Sequence, residues 1–337
     1  MEVTLKSITF ANKKRLEIFN PKTILFTMDK NYIKERLQEK NRRIRLPKAI
    51  EFKLDGGELR LTVSGKGVVA NMQDNGSAFE GWAICIKSRM KEVEKVVVGW
   101  EQPNYSQDLK EKNRQEKHYN RFRLRAAFFE ENYSWAAIAE ENKKEVEDVK
   151  LKSSSLAVNY PSTEASPTAQ NDEAKLEREL IENNKNMRHQ LPAGLFTDEV
   201  LTENTFTPRG ASQIDIWELE GNVLKIYELK RKGNDAVGII SELMYYANVM
   251  RLLVEGTINY PESLKNKKKD YRGEKALYKA VTEKEIRQID ALFLASDFHP
   301  LIGGNLENIL NIMNQSKANL KMRYDVAKPK DLLGNKG

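Results

Sequence analysis

Residues 213–232 have the sequence QIDIWELEGNVLKIYELKRK, which predicts two β-strands joined by a tight turn around Gly221. Side chains alternate between the faces of a strand, so Glu228 and Lys230 share one face of the second strand, while the first strand carries Asp215. That face of the second strand also carries apolar residues, and charged groups are almost never buried without a partner. We therefore expect these charges to be compensated, and a divalent metal ion with a phosphate is one candidate.

The composition is that of a soluble globular protein with a polar surface. The chain has 337 residues, enough for two domains of ordinary size, and 40% of them are hydrophobic while 31% are charged. A net charge of +7 favours polyanionic partners such as nucleic acid or an acidic membrane surface. A solvated basic surface would give the same net charge, so charge alone does not decide between these interpretations.

Cysteine and histidine usage excludes several kinds of site. The single cysteine, Cys85, rules out an intrachain disulfide and a thiolate metal cluster within one chain, and its apolar surroundings predict a buried structural thiol. The three histidines, His118, His189 and His299, are widely separated and show no zinc-ligand spacing. No secretory signal and no run of 18 apolar residues is present, so we expect a cytoplasmic protein that does not span a membrane.

Composition divides the chain into three parts. Residues 1–151 are expected to form an α+β domain that recognises a target or partner, and residues 152–172, rich in Ser, Thr, Pro, Ala and Asn, a flexible linker. Residues 173–337 form the second predicted domain. In the first domain, strands are predicted at residues 24–28, 49–54, 58–64, 81–86 and 96–100, and helices at residues 31–43 and 121–149.

The second predicted domain alternates helices and strands around the central hairpin. Helices are predicted at residues 172–188, 236–255, 276–287 and 306–314, and strands at residues 289–295 and 320–326. A strand followed by a long helix and a later strand indicates a right-handed crossover with parallel pairing. The expected fold class is therefore α/β, with a mixed C-terminal sheet flanked by helices, plus the N-terminal α+β domain.

The C-terminal domain resembles the PD-(D/E)XK nuclease superfamily. The resemblance rests on the ERELI helix at residues 177–181, on Asp215, and on Glu-Leu-Lys at residues 228–230, and it covers about residues 173–330. The helix motif is most similar to that of archaeal Holliday-junction resolvases. Ile214 stands where the superfamily motif has proline. The resemblance implies a restriction-endonuclease-like fold and metal-dependent hydrolysis of phosphodiester bonds.

The resemblance also implies roles for individual residues. Asp215, Glu228 and the main-chain carbonyl of Leu229 would hold Mg²⁺, a hard cation that prefers oxygen ligands and that Mn²⁺ can replace. Lys230 would orient the attacking water or offset developing negative charge, and Glu177 would act through a metal-bound water or a second metal. A cross-strand salt bridge on an exposed sheet face is the alternative interpretation of the Asp, Glu and Lys set.

Four residues are candidates for contact with nucleic acid. Lys117 and Arg121 lie in a basic segment with interleaved aromatic residues, which suits a phosphate backbone with bases stacked nearby, although a solvated helix face is the alternative. Gln213 shares the face of Asp215 and would touch phosphate, or it is a polar residue near a turn. Lys269 belongs to a basic loop that would bind the backbone or remain solvated.

We expect a Mg²⁺-dependent nuclease that acts on DNA in defence, restriction or recombination, and a cut in both strands would suit a homodimer. The alternative is a catalytically silent nucleic-acid-binding or interaction protein that keeps the nuclease fold. Beyond the hairpin, Glu242 and Tyr246 lie one helical turn apart, where superfamily members often place polar residues. We expect both to be ordinary surface or half-buried positions.

Overall fold

The structure is a computed structural model, and it describes residues 30–39, 41–153, 156–160, 172–197, 206–208, 212–230, 236–261, 264, 269–295 and 297–333. We call the described residues up to 153 the N-terminal half and those from 156 onward the C-terminal half. Helices and mixed sheets in both halves confirm the α/β class. None of the helices in the described ranges is long and apolar enough to cross a membrane.

The N-terminal half is built around a four-stranded sheet. Its elements, in chain order, are α1 (Lys30–Gln38), β1 (Ile50–Asp55), β2 (Glu58–Val63), α2 (Phe79–Lys87), β3 (Lys95–Trp100), α3 (Leu109–Asn132), β4 (Ala136–Ile138) and α4 (Lys143–Ser153). The strand order is β1-β2-β3-β4, with β1 antiparallel to β2 and the other two pairs parallel. The helices α2 and α3 make the crossovers that parallel pairing requires. The strands predicted at 49–54, 58–64 and 96–100 are confirmed.

The C-terminal half is built around a five-stranded mixed sheet. Its elements are β5 (Ala157–Val158), α5 (Asp172–Asn183), β6 (Arg188–Pro192), β7 (Leu195–Phe196), β8 (Gln213–Glu220), β9 (Val223–Lys230), α6 (Gly238–Glu255), α7 (Glu274–Thr282), β10 (Gln288–Ala295), α8 (Pro300–Gly303), α9 (Leu306–Met313), β11 (Lys321–Ala327) and α10 (Pro329–Leu332). The strand order is β11-β10-β9-β8-β6. Strands β9, β10 and β11 are parallel, while β8 is antiparallel to both of its neighbours.

The predicted hairpin and the predicted crossover are both confirmed. Strands β8 and β9 pair with Trp217 opposite Ile226, and Gly221 in the turn has a φ of 57°. Helix α6 then carries the chain from β9 to the parallel strand β10. It ends, as expected, at a left-handed glycine, Gly256 (φ 75°), whose missing Cβ makes that conformation inexpensive.

The strand predicted at residues 81–86 is wrong, because these residues lie in helix α2. Every residue of α2 except Lys87 is buried. A short run that is apolar on every side fits a buried helix as well as a buried strand, so the hydrophobic pattern alone could not decide. Here the helix is enclosed because it packs between the N-terminal sheet and α6.

Other boundaries also differ from the predictions, and the helices predicted at 31–43 and 276–287 end at Gln38 and Thr282. The helix predicted at 121–149 is two helices, α3 and α4, separated by strand β4, and the helix predicted at 172–188 ends at Asn183 before β6. Within the predicted flexible linker, Leu156 and β5 are buried, and β5 pairs with β7. The strand predicted at 24–28 and residues 161–171 of the linker lie outside the described residues.

One hydrophobic core runs through both halves. It contains Trp82 from α2, Phe129 from α3, Leu243 from α6 and Met313 from α9. A smaller cluster on the other face of the C-terminal sheet lies under α5 and consists of Leu180, Met187, Ile216, Tyr227, Leu229 and Leu294. The two predicted domains are therefore packed against each other through shared apolar side chains.

The segment 71–75 of the N-terminal half docks on the first residues of α6. The backbone N–H of Val237 donates to Asn75 Oδ1 at 3.1 Å. At Gly238, a Cβ added to the backbone would lie 2.1 Å from the carbonyl oxygen of Gln73, far inside van der Waals contact. The close approach of these two backbones therefore requires glycine at the start of α6.

We predict that Gly238→Ala destabilises the protein by about 1–3 kcal/mol, the usual range for an overpacked core, because the backbone of Gln73 must move. This loss of stability is opposite in sign to the effect of helix propensity alone, which favours alanine over glycine by about 1 kcal/mol. Urea unfolding would measure the change. The matched control is Gly303→Ala, where the nearest atom to an added Cβ is 3.7 Å away and little or no loss is expected. Equal stability of Gly238→Ala and the wild type would contradict the docking geometry.

Candidate active site

The hairpin brings three of the predicted site residues together. The pairing of β8 with β9 reaches Ile216 opposite Tyr227, so the next position along places Asp215 beside Glu228. The backbone N–H of Leu229 donates to Asp215 Oδ2 at 2.8 Å and so fixes the aspartate against the second strand. Local strand geometry alone therefore puts the Asp215 and Glu228 carboxylates on one face of the sheet.

Lys230 occupies the centre of a buried ionic network. Its Nζ is in close contact with Glu228 Oε1 and lies 3.1 Å from Glu242 Oε2. The exposed fractions of Lys230, Glu228 and Glu242 are 8%, 2% and 3%. Buried charges are tolerated when they are paired and hydrogen-bonded, and one ammonium here serves two carboxylates. We call Asp215, Glu228, Lys230 and Glu242 the carboxylate–lysine cluster.

Glu242 is a member of the cluster that the sequence analysis noted but did not assign to the site. We expected a surface or half-buried residue, and that expectation is wrong for both Glu242 and Tyr246, which is 5% exposed. Helix α6 is buried over almost its whole length between the C-terminal sheet and the N-terminal half, so its polar residues are enclosed as well. Gln73 donates its Nε2–H to Glu242 Oε1 in a close contact, so the N-terminal half contributes directly to the cluster. A lone glutamate in an otherwise apolar helical stretch was the available signal.

Glu177 lies on α5 with its carboxylate hydrogen-bonded to a histidine. His189 Nδ1 is 2.9 Å from Glu177 Oε1, and since an ionised carboxylate only accepts, the hydrogen belongs to the histidine nitrogen. Glu177 is 7% exposed, and its charge acts on Asp215. His189 was not predicted as a site residue. The sequence predicted a helix up to residue 188, whereas in the structure strand β6 begins there.

The pKa values of the cluster reflect more negative charge than Lys230 balances. Burial raises the pKa of Asp215 to about 7, and Glu242 and Glu177 act in the same direction, against Lys230 and the Leu229 amide. Burial, Asp215 and Glu242 raise the pKa of Glu228 well above its usual range. Although burial opposes it, the surrounding carboxylates hold the pKa of Lys230 well above its ordinary value. The cluster therefore retains protons that a bound cation would displace.

The cluster was tested for its fit to a metal ion. The described ranges contain no group of three or more His, Cys, Asp or Glu side chains that could hold a metal ion. Two carboxylates and a carbonyl remain, Asp215, Glu228 and Leu229, all oxygen donors of the kind that Mg²⁺ prefers together with waters. Glu228 Oε2 is buried and accepts no hydrogen bond from a described donor, while the Glu228 and Glu242 carboxyl groups interact with each other. The donor types are those that a hard divalent cation prefers, and metal binding here stays a prediction.

A cleft of about 840 Å³ opens beside the cluster and lies between the two halves. On the C-terminal side it is lined by Gln213 and Glu242, and on the N-terminal side by Arg121 of α3. Two of the four candidates for nucleic-acid contact, Gln213 and Arg121, therefore face one cleft. Lys117 and Lys269 are not among the residues that line it; Lys269 is exposed, with its Nζ 5.9 Å from the Tyr271 ring. Contact of any of the four with nucleic acid stays a prediction.

Comparisons of the chain with family models, with curated proteins and with solved structures found no match. Function is therefore inferred from the cluster and the cleft themselves.

We predict that Asp215→Asn stabilises the metal-free protein at pH 8. The folded-state pKa of about 7 lies above the ordinary value of 3.8, so between these two pH values the folded protein keeps a proton that the unfolded chain has lost. Stability therefore falls as the pH rises from 3.8 to about 7. Asparagine cannot ionise. The variant should therefore be more stable than the wild type at pH 8, with a smaller difference at pH 5.

Urea unfolding in EDTA at the two pH values would measure this difference. The control is Asp297→Asn at an exposed position, expected to change stability by less than about 0.5 kcal/mol at either pH. A stability difference between Asp215→Asn and the wild type that is the same at pH 5 and pH 8 would show that Asp215 does not titrate in this window.

Proposed function

We propose that the chain is a metal-dependent nuclease that hydrolyses phosphodiester bonds, with DNA as its substrate. The observation that supports this proposal is the convergence of Asp215, Glu228 and Lys230 at one end of the hairpin. The buried Oε2 of Glu228, which accepts no hydrogen bond from a described donor, adds to it. A purely structural salt bridge has no need of two further carboxylates, whereas an oxygen-ligand cation site does.

Phosphodiester hydrolysis needs an activated water, compensation of the phosphate charge and a stabilised leaving oxygen. A Mg²⁺ ion held by Asp215, Glu228 and the carbonyl of Leu229 would supply Lewis acidity and lower the pKa of water. Lys230 would offset negative charge that develops on the phosphate, because its ammonium is fixed in a water-poor site by two carboxylates.

Residues around the cluster would hold these groups in position. Glu242, itself bonded by Gln73, keeps the Lys230 ammonium at the end of β9. Burial and neighbouring carboxylates favour protonated Asp215, so cation binding must displace that proton and strengthens as the pH rises. Glu177, oriented by His189, would add negative charge at the edge of the site.

The architecture is compatible with the proposed nuclease fold. The five-stranded mixed sheet carries α5 over one face and α6 over the other, with the cluster at the end of its central hairpin. This arrangement supports the restriction-endonuclease-like fold as a proposal. A role in defence, restriction or recombination, and a homodimer that cuts both strands, follow by analogy with that fold and belong to the same proposal.

A silent nucleic-acid-binding protein is the second candidate function. It is favoured by one observation, namely that Lys230 already forms ion pairs with both Glu228 and Glu242. A lysine paired in this way can act as a structural element of a buried network without any cation. The two candidates differ in one property, cleavage that depends on a divalent metal.

We predict that Asp215→Asn and Lys230→Ala each abolish cleavage of plasmid or labelled oligonucleotides in Mg²⁺ or Mn²⁺. A loss of at least about a hundredfold is expected, as for groups that stabilise charge in a transition state. EDTA should have the same effect on the wild type. Cleavage that persists undiminished in both variants would place the active site elsewhere, and wild-type protein without any metal-dependent cleavage would favour the silent alternative.

The matched control for Lys230→Ala is Lys225→Ala. Lys225 lies on the same strand and is also ion-paired, with Glu218 and Glu220, but at the opposite end of the hairpin. The Lys225→Ala variant should cleave at the wild-type rate. Circular dichroism melts of all variants would separate loss of chemistry from loss of folding.

A further inference from the structure

Arg121 is a buried cation that forms no ion pair with any of the described residues. It lies on α3 and is 6% exposed. Its Nη2 is 3.2 Å from His118 Nδ1 and 3.5 Å from Asn71 Oδ1, and the guanidinium lies 5.8 Å from the centre of the Tyr245 ring. None of the carboxylates in the described ranges lies within the 4.0 Å ion-pair distance of this guanidinium. Burial lowers the pKa of Arg121, yet arginine stays protonated in proteins.

Arg125, one turn further along the same helix, shows the usual arrangement. It is 2% exposed, and its Nε donates to Glu80 Oε1 at 2.8 Å while its Nη2 donates to the carbonyl of Ser77 at 2.9 Å. The same residue type at similar burial is thus paired with a carboxylate when its role is to join α2 to α3. Burying a charge without a counter-charge costs free energy, so the unpaired state of Arg121 calls for a ligand.

The position of Arg121 indicates where that ligand would lie. Arg121 and His118 form part of the wall of the 840 Å³ cleft, together with the exposed Lys66 and the aromatic ring of Tyr105. The same cleft is lined by Glu242 of the carboxylate–lysine cluster, whose charge acts on Arg121. An anion bound at Arg121 would therefore lie in the cleft that the cluster also reaches.

The size and lining of the cleft indicate what kind of anion it fits. Its volume lies within the range of about 300–1,000 Å³ that encloses a small ligand, which corresponds to a few nucleotides of one strand. The guanidinium fork matches phosphate oxygens, and aromatic rings such as Tyr105 offer flat faces for bases.

We infer that Arg121 binds a backbone phosphate of single-stranded nucleic acid in this cleft, which the carboxylate–lysine cluster also lines. This inference rests on the proposed function for its second half, namely that the neighbouring phosphate on the same strand is the one that is cleaved. Phosphate binding at Arg121 needs no metal and no catalysis, so it can be tested apart from cleavage.

The first test is fluorescence anisotropy in EDTA, where cleavage is suppressed. The probes are a short single-stranded DNA, the same sequence as RNA, and the blunt DNA duplex. The wild type should bind a single strand more tightly than the duplex, and Arg121→Met should lose about tenfold or more in single-strand affinity. The slope of log affinity against log salt should fall by about 0.7, the value for one phosphate contact on a single strand.

The matched control for charge is Lys112→Ala, which removes an exposed cation from the same helix outside the cleft and should leave binding within about twofold. Arg121→Lys, which keeps the charge but loses the fork, should bind more weakly than the wild type. Any one of three results would overturn the inference. These are an unchanged affinity in Arg121→Met, an equal loss of affinity in Lys112→Ala, and an equal affinity of the wild type for single strand and duplex.

The second test uses thermal unfolding to exclude a merely structural role. Arg121→Met removes an unpaired buried charge and should leave the melting temperature unchanged or raise it, whereas Arg125→Met leaves Glu80 buried and unpaired and should lower it. If the melting temperature falls as much in Arg121→Met as in Arg125→Met, the role of Arg121 is structural and the inference is overturned.

The same variants separate this inference from the proposed nuclease activity. In the Asp215→Asn background, binding that still depends on Arg121 would support the phosphate site. If the wild type binds single strands through Arg121 but never cleaves them, the nuclease proposal fails and the phosphate site stands. If cleavage is metal-dependent and Arg121→Met binds and cleaves like the wild type, the nuclease proposal stands and the phosphate site fails.

Discussion

The contact of one ammonium, Lys230, with the carboxylates of Glu228 and Glu242 is the interaction on which the candidate site depends. It joins the end of strand β9 to the middle of α6 in surroundings with almost no access to water. In such surroundings charge interactions are strong and an unpaired charge is costly, so the three side chains constrain one another. Asp215 enters the same surroundings from β8 and is fixed by the Leu229 amide. The negative charge left over is what a divalent cation would neutralise.

The position of Glu242 depends in turn on the N-terminal half. Helix α6 begins where the segment 71–75 packs on Gly238, so tightly that no side chain fits between the two backbones. Gln73, in that segment, donates to Glu242 one helical turn further on. The N-terminal half therefore shapes the cluster as well as contributing a wall of the cleft. A shared apolar core, which includes the buried helix α2, joins the two halves at this contact.

The lining of the cleft carries charges of both signs. Glu242 belongs to a cluster with surplus carboxylates, and Arg121 is a buried cation with no described carboxylate within ion-pair distance. The charge of Glu242 acts on Arg121, but the two do not form a direct ion pair. A cation bound at the cluster and a phosphate bound at Arg121 would neutralise both, and a nucleic-acid strand with its metal ion would supply both charges.

The sequence by itself determined the hairpin, its shared face of Asp215, Glu228 and Lys230, and the parallel crossover through α6. These features follow from local rules, namely the period of two in strands, the turn at Gly221 and the right-handed crossover between parallel strands. Contacts between distant parts of the chain, by contrast, make residues 81–86 helical, bury Glu242 and bring Glu177 to His189. Gln73 and Glu242 are separated by 169 residues, and no local pattern of polarity records that they meet.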